Sequence, residues 1–147
     1  MVEVKDLFLA IKTSQNEVVR QILLNEKSLA CEKFKSEDAK FDPEVELDAY
    51  KFLGAYLGSL NALHFAILLG QDDIAKDIIE RLYKEDLDET FGGGNSALHL
   101  ATLLGAYEIV KLLLERGANK SLNNAKGFAP VDLSDLPEMR KLFAEAK

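Results

Sequence analysis

The chain has 147 residues, 48% of them apolar, with 25 acidic and 18 basic side chains. This is the length of one domain, and the apolar fraction is high enough to bury a core, which excludes an intrinsically disordered chain. The net charge of -7 argues against nucleic acid or an anionic membrane as the partner, because either surface would repel the protein. No stretch approaches the about 20 apolar residues of a membrane span. The single cysteine and the lack of a secretory signal favour a cytoplasmic protein, with the nucleus as an alternative compartment.

The first 31 residues have the spacing of two amphipathic helices. Leu7 and Ala10 are three residues apart, and the apolar pairs Val18-Val19 and Ile22-Leu23 follow one helical turn apart. We expect a first helical pair over residues 4–31.

Residues 32–58 break this pattern and carry seven acidic against four basic side chains. Asp42-Pro43 is typical of a helix start, with Asp as the cap and Pro in the first turn. We expect an inserted helix after this dipeptide. Its apolar face would be formed by Val45, Tyr50, Leu53 and Leu57.

The next part of the chain contains an internal repeat. Residues 61–70 read Asn-Ala-Leu-His-Phe-Ala-Ile-Leu-Leu-Gly, and residues 96–105, 35 positions later, read Ser-Ala-Leu-His-Leu-Ala-Thr-Leu-Leu-Gly. Asn61 and Ser96 are expected to cap a helix start, and Gly70 and Gly105 to end the helix. Each copy continues into apolar pairs at helical spacing, which predicts helical pairs over residues 59–89 and 94–123.

Turn-forming residues separate the predicted units. Segments 90–95 and 117–127 are rich in Gly and Asn, which is typical of hairpin-like loops. The last segment, 127–147, repeats the pattern only in part, since Pro137 shortens the space available to its helices. We expect a truncated cap there.

The progression Leu98-His99-Leu100-Ala101, Gly105 and the run from Ile109 to Ala118 resembles the ankyrin repeat, strongly over residues 60–132. The resemblance implies an all-α solenoid of helix-turn-helix units joined by hairpin loops, here three units plus a truncated C-terminal cap. Leu7 and Leu63 are 56 residues apart, against a period of about 33, so a helical insertion follows unit one. The resemblance also implies that the protein is a protein–protein interaction module, such as an adaptor or a regulatory subunit, and that it is not an enzyme.

Several residues invite a chemical role but have a simpler explanation. His64 and His99 stand where the resemblance implies that the imidazole ties neighbouring hairpins together, and a zinc site would need about four converging ligands. The glycines 92–94 lack the lysine of a phosphate-binding loop and suit a tight turn. We therefore expect no catalytic residue, no metal and no cofactor.

The predicted partner site is apolar. The resemblance places the two residues before each helix-ending glycine on the concave face, and here both pairs are leucines. The expected partner is another protein with a basic amphipathic segment, bound to a monomer, because acidic side chains frame the apolar stripe and would steer such a segment. The alternative is an autoregulated module whose segment 32–58 covers this groove until a partner displaces it. The predicted contact residues are Leu57, Leu60, Leu68, Leu69, Glu85, Asp86, Asp88, Glu89, Asn95, Leu103, Leu104, Tyr107 and Phe128.

Overall fold

A computed structural model describes residues 2–54 and 56–146 of the chain. Eight α-helices form in these residues: α1 Val4–Lys12, α2 Asn16–Asn25, α3 Glu46–Phe52, α4 Ala62–Leu68, α5 Asp72–Arg81, α6 Ala97–Leu103, α7 Tyr107–Glu115 and α8 Pro137–Glu145. Short 3-10 helices span Lys27–Cys31, Lys84–Asp88 and Pro130–Leu133. One antiparallel hairpin joins β1 Thr90–Phe91 to β2 Asn95–Ser96.

The helices pack in two layers. Helix α4 lies between α1 and α6, and the 3-10 helix Pro130–Leu133 packs on the far side of α6. The second layer contains α2, α5, α7 and α8, each packed against the next. Each unit buries its apolar face against its neighbours, so the core extends along the stack. This confirms the predicted all-α solenoid.

The repeated decapeptide forms α4 and α6, and the predicted caps are confirmed. The Asn61 side-chain oxygen accepts the N–H of His64 at 2.9 Å, and the Ser96 hydroxyl accepts that of His99 at 3.3 Å. These bonds satisfy backbone donors that a helix start leaves without a partner. Both helices end two residues before a glycine with a φ of 73°.

The loop at residues 90–95 forms the predicted hairpin, with Thr90 opposite Ser96 and Phe91 opposite Asn95. In the next loop, the N–H of Asn124 donates to the carbonyl of Phe128 at 3.0 Å and closes a turn.

The C-terminal segment begins with a 3-10 helix in the layer of α4 and α6, followed by α8 in the layer of α7. Pro137 lies in the first turn of α8, where its missing N–H removes no helical hydrogen bond. We propose that the repeat units span residues 4–31, 59–89, 94–123 and 127–147, with the insertion at 32–58.

Helix α3 lies in the insertion, and its start corrects the sequence expectation. A turn follows Asp42, whose carbonyl accepts the N–H of Val45 at 3.0 Å, and α3 begins only at Glu46. Its buried side is formed by Ala49, one turn before the buried Leu53. Tyr50, one position round the helix from Ala49, is 41% exposed and does not belong to that face.

Candidate functional site

Four leucines form an apolar surface at the ends of α4 and α6. Leu68 is the last residue of α4 and Leu69 its C-cap, and Leu103 and Leu104 occupy the same positions at the end of α6. All four are half-buried, so each packs on the core and keeps part of its side chain at the surface. Because α4 and α6 pack side by side, the two pairs form what we term the leucine stripe.

Two of the predicted contact residues do not reach the surface, which corrects the prediction at those positions. Leu60 is 0% exposed, and its backbone N–H and carbonyl both bond to Phe34 of the insertion. Asn95 is 1% exposed and donates its side-chain amide to the carbonyl of Leu53 at 3.0 Å. Both residues are buried because the insertion folds back onto them.

Three further predicted contact residues reach the surface to different extents. Tyr107, near the start of α7, is 37% exposed. Leu57 and Phe128 are half-buried, and the Phe128 ring meets that of Phe52 edge to face at 5.0 Å between ring centres. Phe128 therefore keeps only part of its ring at the surface.

The four predicted acidic residues differ in how free their carboxylates are. Asp86 accepts the N–H of Tyr83 at 3.2 Å, and Asp88 accepts that of Asn119 at 2.8 Å. The carboxylate of Glu89 lies 4.0 Å from the ammonium of Lys33 in the insertion. Glu85 is exposed and has no ion-pair partner among residues 2–54 and 56–146.

Two buried asparagines hold the end of α3, an arrangement we term the asparagine clamp. The amide of Asn124 donates to the carbonyl of Phe52 and to the side-chain oxygen of Asn95, both at 2.8 Å. Asn95 in turn bonds to the carbonyl of Leu53. The clamp thus satisfies carbonyls at the C-terminal end of α3 that the helix itself leaves without partners.

Sequence reasoning did not identify Asn124 as a structural residue. An asparagine in a loop is typical of the turn itself, so the sequence carries no signal that separates a turn residue from one that bonds to a distant helix.

The insertion also approaches the hairpin at Gly92. A β-carbon at this position would clash with the carbonyl oxygen of Tyr56, and the residue has a φ of 52°. Only glycine allows this approach without a shift of one backbone. The ammonium of Lys33 adds a hydrogen bond of 2.6 Å to the carbonyl of Thr90.

Both histidines use their two ring nitrogens within the protein. In His64, Nδ1 accepts the N–H of Asn61 at 3.3 Å and Nε2 donates to the carbonyl of Glu89 at 3.0 Å. In His99, Nδ1 accepts the N–H of Ser96 at 3.1 Å and Nε2 donates to the carbonyl of Phe128 at 2.9 Å. Each imidazole therefore ties its helix to the following loop, which confirms the structural role expected for it.

Burial keeps both imidazoles neutral. It lowers the pKa of His64 from 6.5 to about 3 and also lowers the pKa of His99, because a charged ring would lose its hydration without gaining an acidic partner in contact. Within the part of the chain that the structure describes, no cluster of three or more His, Cys, Asp or Glu side chains could hold a metal ion. None of the helices there is long and apolar enough to cross a bilayer.

Comparison with known proteins agrees with this architecture. A family model described as ankyrin repeats, three copies, matches residues 6–124. No curated protein sequence matches the chain. Among solved structures, the chain is similar to the ankyrin repeat domain of Bcl-3, a member of the IkappaB protein family, with a TM-score of 0.67 and 18% sequence identity. The match covers 95% of this chain and 50% of the Bcl-3 chain, and at this identity it shows the fold alone. The chain belongs to the ankyrin-repeat family.

Proposed function

We propose that this protein recognises a partner protein through the leucine stripe and acts as an adaptor or regulatory subunit, without catalysis of its own. Ankyrin repeats are protein–protein interaction modules. The observation that carries the proposal is the pairing of Leu68-Leu69 with Leu103-Leu104, half-exposed at equivalent ends of adjacent helices. Apolar surface that continues across two repeats usually marks an interaction site.

The expected partner segment is amphipathic, with apolar side chains against the leucine stripe and basic side chains toward the acidic residues at positions 85–89. Glu85 is free to meet a cation, and Asp88 and Glu89 each keep one carboxylate oxygen that makes no hydrogen bond to a described residue. Contacts at such an exposed rim raise the association rate more than the affinity. The partner's basic residues would thus set how quickly it binds, and its apolar residues how long it stays.

The test is the double substitution Leu69→Ser with Leu104→Ser. Since both leucines are half-exposed, we expect the loss of partner capture from native cell extract, identified by mass spectrometry, while the circular dichroism spectrum and melting temperature change little. The matched control is Leu9→Ser with Leu47→Ser, which replaces leucines that are 57% and 84% exposed elsewhere. Equal capture by both double variants would refute the stripe as the binding surface. Unfolding of the first variant would show that its leucines belong to the core.

A second proposal is the autoregulated module, in which segment 32–58 covers the groove until a partner displaces it. The observation that favours it is that the insertion packs on the two loops that follow α5 and α7, through the asparagine clamp and the Phe52–Phe128 ring contact. Slow hydrogen exchange in residues 32–58 together with partner capture only after the clamp is opened would support it. Equal capture by the wild type and a clamp variant would instead support the first proposal, in which the leucine stripe is accessible without a change in segment 32–58.

A further inference from the structure

A second surface, with the opposite charge, lies where α2, α5 and α7 end. A cavity of about 400 Å3 opens there, lined by three cationic side chains and one carboxylate. Leu24 and Tyr83 border it, and both side chains are 66% exposed. We term this surface, formed by Leu24, Lys27, Arg81, Tyr83 and Arg116, the basic face. It contrasts with the net charge of -7 on the whole chain.

Contacts within the protein hold the three cationic side chains of the basic face in place. One guanidinium N–H of Arg81 donates to the carbonyl of Asp77 at 3.0 Å, and one of Arg116 donates to the carbonyl of Glu80 at 3.1 Å. The ammonium of Lys27 lies 4.4 Å from the centre of the Tyr83 ring. Such placement reduces the entropy that the side chains would lose when a ligand binds.

The cations keep most of their binding capacity. None of them forms an ion pair with a carboxylate among residues 2–54 and 56–146. A guanidinium has five N–H donors, and Arg81 and Arg116 each use one of them in the bonds above. The remaining donors can bind a carboxylate through two parallel hydrogen bonds, the strongest arrangement that this pair of groups makes.

We propose that the basic face binds an acidic peptide segment that carries a large apolar side chain. Carboxylates of the segment meet Arg81, Arg116 and Lys27, and its apolar side chain packs on Leu24 and Tyr83. A peptide fits better than a nucleic acid, because exposed apolar side chains line the same cavity as the cations and the acidic remainder of the protein repels a polyanion. The basic face is separate from the leucine stripe and selects the opposite charge, so a failure of either proposal leaves the other intact.

The experiment measures fluorescence anisotropy of a labelled peptide built from repeated Asp-Leu-Glu triplets, titrated with the full chain. Two other probes are a peptide of Asp-Ser-Glu triplets and a single-stranded DNA of similar charge. The variants are Arg116→Glu and Leu24→Ser. The matched control is Lys111→Glu, which makes the same change of charge at an exposed site on α7, the helix that ends just before Arg116.

We expect the Asp-Leu-Glu peptide to bind, and Arg116→Glu and Leu24→Ser each to weaken binding about tenfold or more, the size of effect of one lost charge pair or buried apolar contact. Lys111→Glu should bind as the wild type does, and the serine peptide and the DNA more weakly. Saturable binding lost in Arg116→Glu but kept in Lys111→Glu would support the proposal. The absence of binding, equal loss in both charge variants, or tighter binding of the DNA would overturn it.

Discussion

At position 92, a glycine allows the hairpin backbone to approach the backbone of the insertion. The segment Gly92-Gly93-Gly94 precedes a helix as a phosphate-binding loop does, but the space beside Gly92 is filled by the carbonyl of Tyr56. The sequence predicted a tight turn there and nothing about what the turn would touch. The approach involves residues 36 positions apart, and no local pattern encodes such a contact.

Gly92→Ala should destabilise the protein more than Gly70→Ala. Both glycines have positive φ, so both substitutions carry the backbone strain of about 1 kcal/mol that a side chain meets there. Only at position 92 does the new β-carbon meet another backbone, whereas nothing lies within 4 Å of it at position 70. Urea denaturation of the two variants isolates the effect of the clash. Equal losses of unfolding free energy would show that the insertion does not rest on the hairpin.

Secondary-structure elements followed from the sequence where their signal is local. The capping residues, the apolar spacing and the helix-ending glycines predicted the helices of the repeated decapeptide. The insertion helix was located less well, because a turn after Asp42 delays its start and Ala49, not Tyr50, supplies the buried contact. A short helix of one or two turns has too few apolar positions for the spacing to indicate its buried side.

Asn124→Ala tests whether the clamp holds α3 in place. The substitution leaves the carbonyl of Phe52 and the side-chain oxygen of Asn95 without a donor, and an unsatisfied buried polar group costs about 1–3 kcal/mol. We expect a loss of unfolding free energy of that size and faster hydrogen exchange in residues 46–54. Asn123→Ala is the control, since Asn123 is an exposed neighbour. Unchanged exchange in the Asn124 variant would mean that other contacts hold the insertion.

The whole molecule is a stack of units that pack on one another through apolar contacts, and two buried imidazoles add hydrogen bonds from α4 and α6 to the loops that follow. His64 joins α4 to Glu89, and His99 joins α6 to Phe128. Both rings are neutral in the folded protein because burial lowers their pKa values. Burial of the two rings therefore changes the stability of the protein in the same direction as the pH falls.

Stability should fall as the pH drops from about 6.5 toward about 3. In that range the unfolded histidines bind protons and the folded His64 does not, so each pH unit costs at most about 1.4 kcal/mol per histidine. Above pH 6.5 the contribution of the histidines is fully present and constant. The measurement is the unfolding free energy in urea across this range, with His64→Gln as the comparison. The variant should be less stable at neutral pH but lose less on acidification; parallel curves would show that His64 does not cause the pH dependence.

The sequence by itself determined the repeat, its helices, their caps and the structural role of the histidines, because each depends on side chains a few positions apart. The tertiary structure decided which surface remains open. It buried Leu60 and Asn95 beneath the insertion, engaged two acidic side chains in backbone bonds, and brought three helix ends together into the basic face. Exposure depends on what the rest of the chain packs against a residue, and contacts between distant segments leave no periodic signal in the sequence.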